Sequence, residues 1–117
     1  MGAPACNYQK YQIVEVPPTI AKIGQCDYPR PFLIYNVAGT VMWAMLISTQ
    51  IETFYNGSRD FKMLKTDDGF GTTGLVEDSF VKNQDFTIDT NLRLRIIGHL
   101  SGDLLARFRQ FEKRHNL

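Results

Sequence analysis

The chain has 117 residues, a formal net charge of +1 and 21% charged residues. That length is enough for one compact domain, or for one membrane span with a segment on either side. The balanced charge does not indicate a nucleic-acid partner. Cys6 and Cys26 could form one disulfide or remain free thiols; with no C-x-x-C motif and no zinc-type spacing to the histidines, they indicate neither a metal site nor a redox motif.

Residues 1–30 form an N-terminal flank that we predict to be extended and irregular. Its prolines, at positions 4, 17, 18 and 29, disfavour helix. Within the flank, residues 11–16 (YQIVEV) predict a short strand that the proline pair ends. The first residues lack the basic start and apolar core of a cleaved secretory signal, and they are not arginine-rich as a transit peptide would be. We therefore expect any membrane insertion to use an internal span.

Residues 31–51 (PFLIYNVAGTVMWAMLISTQI) form the longest stretch without a charged side chain. As a helix this stretch would cover roughly 30 Å, the thickness of a bilayer core. Pro31 suits the first helical position, and Asn56 with Gly57 supplies a C-terminal stop. We predict a transmembrane helix over residues 31–56. The alternative, two strands joined by a turn at Ala38 and Gly39, has good strand propensity but no alternation of polarity in either half.

A helical arrangement sorts this stretch into two sides. Asn36, Thr40, Ala44 and Ser48 recur every four residues and would share one side, with larger apolar residues opposite. Small and weakly polar side chains allow helices to approach closely in a membrane. We predict that these four residues pack against neighbouring helices, while the opposite side faces lipid.

Residues 57–117 are predicted to be a polar loop region that ends in a short amphipathic helix. Residues 58–85 are polar and rich in turn formers, and residues 86–100 fit either strand or helix spacing. The final helix is predicted over residues 103–115. Its apolar stripe of Leu104, Phe108 and Phe111, beside Arg107 and Arg109, is expected to dock on an acidic partner or an anionic membrane surface. An ordinary amphipathic helix, with cations compensating its C-terminal dipole, is the alternative.

The sequence contains no motif that names a reaction. Residues 69–74 (GFGTTG) match G-x-G-x-x-G, but a dinucleotide site needs a buried strand before the loop and a helix after it, and the flanking residues predict neither. We predict a flexible loop there. His99 and His115 are the only imidazoles, and nothing implies a catalytic triad around them. We therefore predict no catalytic, cofactor-binding or metal-binding residue, and no enzyme.

These features predict a mainly α fold with a single membrane-spanning helix. The predicted function is that of a non-catalytic, single-pass accessory subunit with a structural or assembly role in a larger membrane complex. Small one-span subunits of this type are typical of the mitochondrial respiratory chain, so the expected location is the mitochondrial inner membrane, and the expected partners are other subunits and the lipid bilayer. The alternative is a small soluble α+β interaction or ligand-binding module with the central helix as its core.

Overall fold

The computed structural model describes residues 7–20 and 28–117, and in these ranges it is mostly β. The strands are β1 (Gln12–Val16), β2 (Arg30–Ala38), β3 (Val41–Ser48), β4 (Phe61–Met63), β5 (Ser79–Asp89) and β6 (Arg95–His99). Two helices, α1 (Ile51–Phe54) and α2 (Gly102–Arg114), and a 3₁₀ turn (Phe70–Thr72) complete the described elements. All strand pairs are antiparallel, in the order β4-β5-β3-β2-β1-β6, and the sheet curves into a half-barrel.

The predicted transmembrane helix over residues 31–56 is wrong. That stretch forms the hairpin of β2 and β3 followed by the one-turn helix α1. Gly39, with a φ of +63°, and Thr40 make the two-residue turn between the strands, a conformation that glycine adopts at little cost. No helix in the described part of the chain is long and apolar enough to cross a membrane. The α+β alternative matches this architecture, and the membrane-spanning interpretation is withdrawn.

The charge-free stretch has a physical explanation in the sheet. β2 and β3 are internal strands, and residues 32–35 and 44–48 are buried on both faces. A strand that is covered on both sides needs apolar residues at consecutive positions, so it shows no alternation of polarity. A buried central hairpin therefore resembles a membrane helix in composition.

One face of the sheet packs against α2. The sheet curves around the helix, so that α2 contacts β4 near one edge of the sheet as well as Tyr11 beside β1. The buried residues of this core are Ile13, Leu33, Tyr35, Met45, Ile47, Phe61, Met63, Phe70, Val81, Leu100, Leu104, Phe108 and Phe111. Because α2 contributes three of its large side chains, this core depends on the last element of the chain.

The opposite face carries a second apolar cluster, whose buried members are Tyr8, Val14, Val16, Phe32, Ile34, Met42, Ala44, Leu46 and Ile88. Tyr8 fastens the turn between β5 and β6 to this face. Its hydroxyl donates to the carbonyl oxygen of Leu92 and accepts from the N–H of Leu94 at 2.8 Å. The sheet is thus covered on both sides, which explains its two layers of apolar residues.

Elsewhere the sequence predictions and the structure agree in part. The strand expected at residues 11–16 is β1, and α2 begins and ends within one residue of the helix predicted over 103–115. Residues 58–85 are not only loops, because they contain β4 and the first half of β5. The undecided residues 86–100 contain the end of β5, a turn and β6. Cys6 and Cys26 lie outside the described residues.

Candidate functional site

The apolar residues proposed for docking are buried within the chain itself. Leu104, Phe108 and Phe111 are each at most 1% exposed. The ring of Phe108 lies edge-on to Phe61 of β4 at 5.2 Å and to Tyr11 at 6.0 Å between ring centroids. These three side chains form the core against the sheet, so they are not available to a partner or a membrane.

The C-terminal half of α2 is held on the sheet by Tyr11, the residue before β1. The hydroxyl of Tyr11 donates to the carboxylate of Glu112 at 2.8 Å, and Arg109 lies 5.6 Å from the centre of the same ring. Burial, followed by the contact with Glu112, raises the pKa of Tyr11. Burial, followed by a hydrogen bond with Asp85, raises the pKa of Tyr35 in the same way. Arg109 and Glu112 therefore fix the helix in place.

A groove runs between α2 and the edge strand β4. It has a volume of about 510 Å³ and is lined by Tyr55, Gly57, Asp60, Phe61, Lys62, Arg107, Gln110 and Arg114. Arg107 bonds to Asp67 at 3.1 Å and lies 3.4 Å from Asp103, so its charge is largely balanced. Lys62 and Arg114 form no ion pair with any residue in ranges 7–20 and 28–117. These two cations give the groove its charge.

Asp60 is the one acidic residue that lines the groove, and its charge is balanced by neighbouring groups of the same chain. Its side chain is fully buried and accepts two hydrogen bonds from Arg59, at 2.9 and 3.1 Å, and one each from the backbone N–H groups of Asn83 and Asn56. Burial alone would raise the pKa of Asp60, but the bonds from Arg59, Asn83 and Asn56 outweigh it and lower the pKa. The carboxylate stays ionised and saturated with donors, which leaves the groove positive.

The two edges of the sheet differ in how they are covered. At β6, the loop of residues 69–74 lies directly against the strand, and the hydroxyl of Thr72 donates to the carbonyl oxygen of His99 at 3.0 Å. A Cβ atom added to Gly98 would overlap the backbone of Thr72 and Thr73. At β4, no described residue outside the sheet bonds to the backbone of residues 61–63. The loop therefore covers β6 around Gly98, whereas in β4 Phe61 and Met63 are buried in the core and only Lys62 is partly exposed beside the groove.

The G-x-G-x-x-G loop has a structural explanation. A Cβ atom added to Gly69 would overlap the carbonyl oxygen of Ser101, and one added to Gly74 would overlap the carbonyl oxygen of Ile97. Both glycines have positive φ. The start of α2, where a pyrophosphate would bind in a dinucleotide site, instead receives the carboxylate of Asp68. The loop also leads into β5 and not into a helix. The glycines allow close packing, and the expected flexible loop is a packed one.

The proposed helix-packing stripe is not formed. Asn36 is exposed on β2 and Thr40 is exposed in the turn, whereas Ala44 and Ser48 are buried on β3. The four-residue spacing that aligns these residues on a helix distributes them over two strands and a turn. They therefore share no surface that a partner could contact.

The two histidines and the carboxylates of the loops have structural partners or lie apart. Asp67 accepts from the N–H of Leu64 at 2.7 Å, and Asp78 accepts from the N–H of Lys65 at 2.7 Å. His99 is exposed on β6, whereas His115 lies on the ring of Phe111 at the end of α2. The described residues contain no group of three or more side chains arranged to hold a metal ion. These contacts do not account for the two cations of the groove, Lys62 and Arg114.

No protein-family model matches the chain, and no curated protein is significantly similar to it in sequence.

Sequence reasoning identifies part of this groove and misses the rest. Arg107 is predicted as a docking residue on the correct helix. Lys62 is missed because residues 58–85 are interpreted as loops and β4 is only three residues long. Tyr55 is missed because it lies in the predicted transmembrane helix of residues 31–56. The alternation of Phe61, Lys62 and Met63, apolar-charged-apolar, is the one local signal that could have indicated an edge strand.

Proposed function

We propose that this protein is a non-catalytic interaction module that binds an acidic segment of another protein in the groove between β4 and α2. The observation that carries the proposal is the unbalanced charge of the groove. Lys62 and Arg114 have no ion-pair partner in the described chain, while the neighbouring Asp60 is saturated by Arg59 and two backbone donors. Charge complementarity of this kind steers association and selects partners.

The shape of the site favours a protein segment over a membrane surface. A helix that binds a bilayer inserts an apolar face into it, and the apolar face of α2 is buried against the sheet. The groove is concave, with the aromatic side chains of Tyr55 and Phe61 beside its cations. Lys62 Nζ lies 4.7 Å from the centre of the Tyr55 ring, which holds the ammonium group at the groove. A narrow acidic chain fits this arrangement better than a flat anionic surface.

The absence of a catalytic role is supported by the arrangement of the titratable groups. The two histidines are on different elements, and the carboxylates at 60, 67, 68 and 78 are each committed to hydrogen bonds that fix loops or helix ends. A nucleophile, a base and an orienting group must meet in one place for covalent catalysis. We therefore propose binding without chemistry.

The test compares two adjacent cationic residues of α2, one inside the groove and one outside it. Arg114 lines the groove, whereas Lys113 is exposed outside it, and both are in the last turn of the helix. Fluorescence anisotropy with a labelled peptide of alternating Glu and Val should show binding that Arg114→Glu and Lys62→Glu weaken at least about tenfold, while Lys113→Glu leaves it nearly unchanged. We expect an effect of that order because each of these two substitutions removes one ion pair between the peptide and a partly enclosed site.

Two results would contradict the proposal. One is equal weakening by Arg114→Glu and Lys113→Glu, which would indicate general charge attraction instead of a groove. The other is binding to phosphatidylserine vesicles in a flotation assay when the acidic peptide does not bind. The aggregation state and circular dichroism spectrum of each variant serve as controls for folding.

A further inference from the structure

We propose that Asn56 is a site of spontaneous modification, in which its side-chain amide is lost and the turn that holds Asp60 is loosened. The proposal goes beyond the proposed function, because the reaction needs only this chain and water. Asn56 is exposed in the turn of residues 56–60, between Tyr55 and Gly57, which both line the groove. A chemical change at this position therefore occurs at the border of the groove.

The reaction joins the side chain of Asn56 to the backbone of Gly57. Water or hydroxide removes the amide proton of Gly57, and the nitrogen attacks Cγ of Asn56. The side-chain nitrogen takes up a proton and leaves as ammonia, so that a succinimide ring is formed. One water molecule then opens the ring: opening at Cγ gives aspartate, and opening at the former backbone carbonyl carbon gives isoaspartate. The net change exchanges ammonia for water, and no oxidant or cofactor takes part.

The first support is the residue that follows Asn56. Glycine has no Cβ atom to hinder the approach of its nitrogen to a neighbouring side chain. Asn56 is the one asparagine in the sequence that glycine follows, since the others precede Tyr8, Val37, Gln84, Leu92 and Leu117. Within the described residues, neither the N–H of Gly57 nor the side-chain NH₂ group of Asn56 donates a hydrogen bond. The attacking nitrogen and the leaving group are therefore not held by other parts of the described chain.

The second support is the hydrogen bonding of the Asn56 side-chain oxygen. Oδ1 accepts from the backbone N–H of Ser58 at 3.0 Å and from the Ser58 hydroxyl at 2.7 Å. The ring that the backbone bond closes contains both Cγ of Asn56 and the nitrogen of Gly57, so it limits the separation of the two reacting atoms. Attack on Cγ places negative charge on Oδ1, and donors already directed at such an oxygen stabilise the transition state. Ser58 thus supplies two donors to the oxygen on which charge develops.

The fold does not require a glycine at position 57. A Cβ atom added to Gly57 would lie 3.6 Å from the hydroxyl oxygen of Tyr55, which is an ordinary van der Waals distance. Gly57 is also not among the glycines with positive φ. The variant Gly57→Ala can therefore keep the same turn, which makes it suitable for testing the reaction.

The isoaspartate product changes the connectivity of the turn. In the unmodified chain, the N–H of Asn56 donates to the carboxylate of Asp60 at 3.0 Å. The carbonyl oxygen of Asn56 accepts from the N–H groups of Arg59 and Asp60, at 3.0 and 2.7 Å. In isoaspartate the main chain runs through Cβ and Cγ, so it is longer by one carbon, and the former carbonyl becomes a free carboxylate. This adds a like charge close to the buried Asp60. We therefore expect a looser turn.

The first experiment follows the modification of the purified chain in mildly alkaline buffer by peptide mapping and mass spectrometry. Asn56 should be converted before any other asparagine, at a rate within about tenfold of that in a free peptide of residues 52–61. Gly57→Ala should slow the conversion at least about tenfold in both the chain and the peptide, because its methyl group hinders the attack. Ser58→Ala should slow it at least about threefold in the folded chain, where one donor to Oδ1 is lost, and less than about twofold in the peptide.

Two results would overturn the modification site. One is an Asn56 that stays unmodified in the folded chain while the free peptide is converted. The other is a rate of conversion that Gly57→Ala and Ser58→Ala leave unchanged. Circular dichroism of each variant serves as the control for folding.

The second experiment measures the effect on the turn. Ion-exchange chromatography separates the modified forms from the unmodified chain, and peptide mapping identifies the form with isoaspartate at position 56. This form should unfold at a lower urea concentration than the freshly purified chain and than Asn56→Asp, which adds the charge without lengthening the main chain. Equal unfolding midpoints of the isoaspartate form and the fresh chain would overturn the loosening of the turn. Neither experiment uses binding in the groove, so this proposal and the proposed function can fail separately.

Discussion

Asp68 caps α2 from a loop that is distant in sequence. Its carboxylate accepts a hydrogen bond from the backbone N–H of Asp103 at 3.0 Å, and its carbonyl oxygen accepts one from the N–H of Leu104 at 3.1 Å. Ser101, the residue at the local N-cap position, provides no side-chain cap. The first turn of a helix has N–H groups without intrahelical partners, and a negative charge there also interacts favourably with the helix dipole. One residue thus joins the packed loop to the helix that forms the core.

The cap gives the first prediction. Asp68→Ala should lower the free energy of unfolding by about 0.5–2 kcal/mol, the usual cost of losing a helix N-cap. Urea unfolding followed by circular dichroism measures this change. Glu52→Ala, which removes a carboxylate from an exposed position of α1, is the matched control and should be nearly neutral. Equal stabilities of the two variants would show that the cap contributes nothing measurable.

Replacement by alanine should affect stability very differently at two glycines near the same loop. A Cβ at Gly98 would overlap the backbone of Thr72 and Thr73, whereas a Cβ at Gly71 would meet no atom within 4 Å. We expect Gly98→Ala to lower stability by about 1–3 kcal/mol or more, because backbone must move to make room. Gly71→Ala should have little effect. Thermal unfolding of both variants decides the matter, and a tolerated Gly98→Ala would contradict the close packing of this loop on β6.

Phe108 is expected to be essential for the fold. Its ring contacts Phe61, Tyr11 and Phe111, and the side chain is 0% exposed. Phe108→Ala should lower the free energy of unfolding by about 3–5 kcal/mol, as for other large-to-small changes in a core. Phe54, which is 54% exposed on α1, provides the control: Phe54→Ala should change stability by no more than about 0.5 kcal/mol. Similar small losses in both variants would mean that α2 is a loosely attached element.

The central hairpin shows where sequence reasoning fails. Residues 32–35 of β2 and 44–48 of β3 are buried on both faces, so they carry neither charges nor alternation, the two signals that separate a strand from a membrane helix. The correct alternative depends on the turn at Gly39 and Thr40. A glycine in the middle of an apolar stretch is compatible with either fold, and only the pairing of β2 with β3 distinguishes them.

The terminal helix shows what local pattern can and cannot give. The spacing of Leu104, Phe108 and Phe111 predicts α2 to within one residue at each end, because periodicity is a local property. The same spacing cannot tell whether the apolar stripe meets another protein or the chain's own sheet. The groove is missed for a related reason: β4 becomes a strand through its pairing with β5, a contact between residues that are far apart in sequence.

The buried carboxylate of Asp60 predicts a specific loss of stability in acid. The pKa of Asp60 is below its usual value: burial acts against this shift, and the hydrogen bonds from Arg59, Asn83 and Asn56 outweigh it. The folded state therefore favours the ionised form more than the unfolded state does. This contribution is fully present above the unfolded pKa of about 3.9 and is lost as the pH falls through the lower folded value.

The variant Asp60→Asn tests this directly. At neutral pH it should lower the free energy of unfolding by about 1–3 kcal/mol, because an amide cannot accept all four bonds and Arg59 loses its partner. The difference from the unmodified protein should shrink as the pH is lowered from about 7 to below about 3. Glu52→Gln, at an exposed position, should show no such convergence. Urea unfolding at a series of pH values provides the measurement. If the difference in unfolding free energy between Asp60→Asn and the unmodified protein stays constant to the lowest pH, the ionised carboxylate does not hold the turn of residues 56–60 to β5.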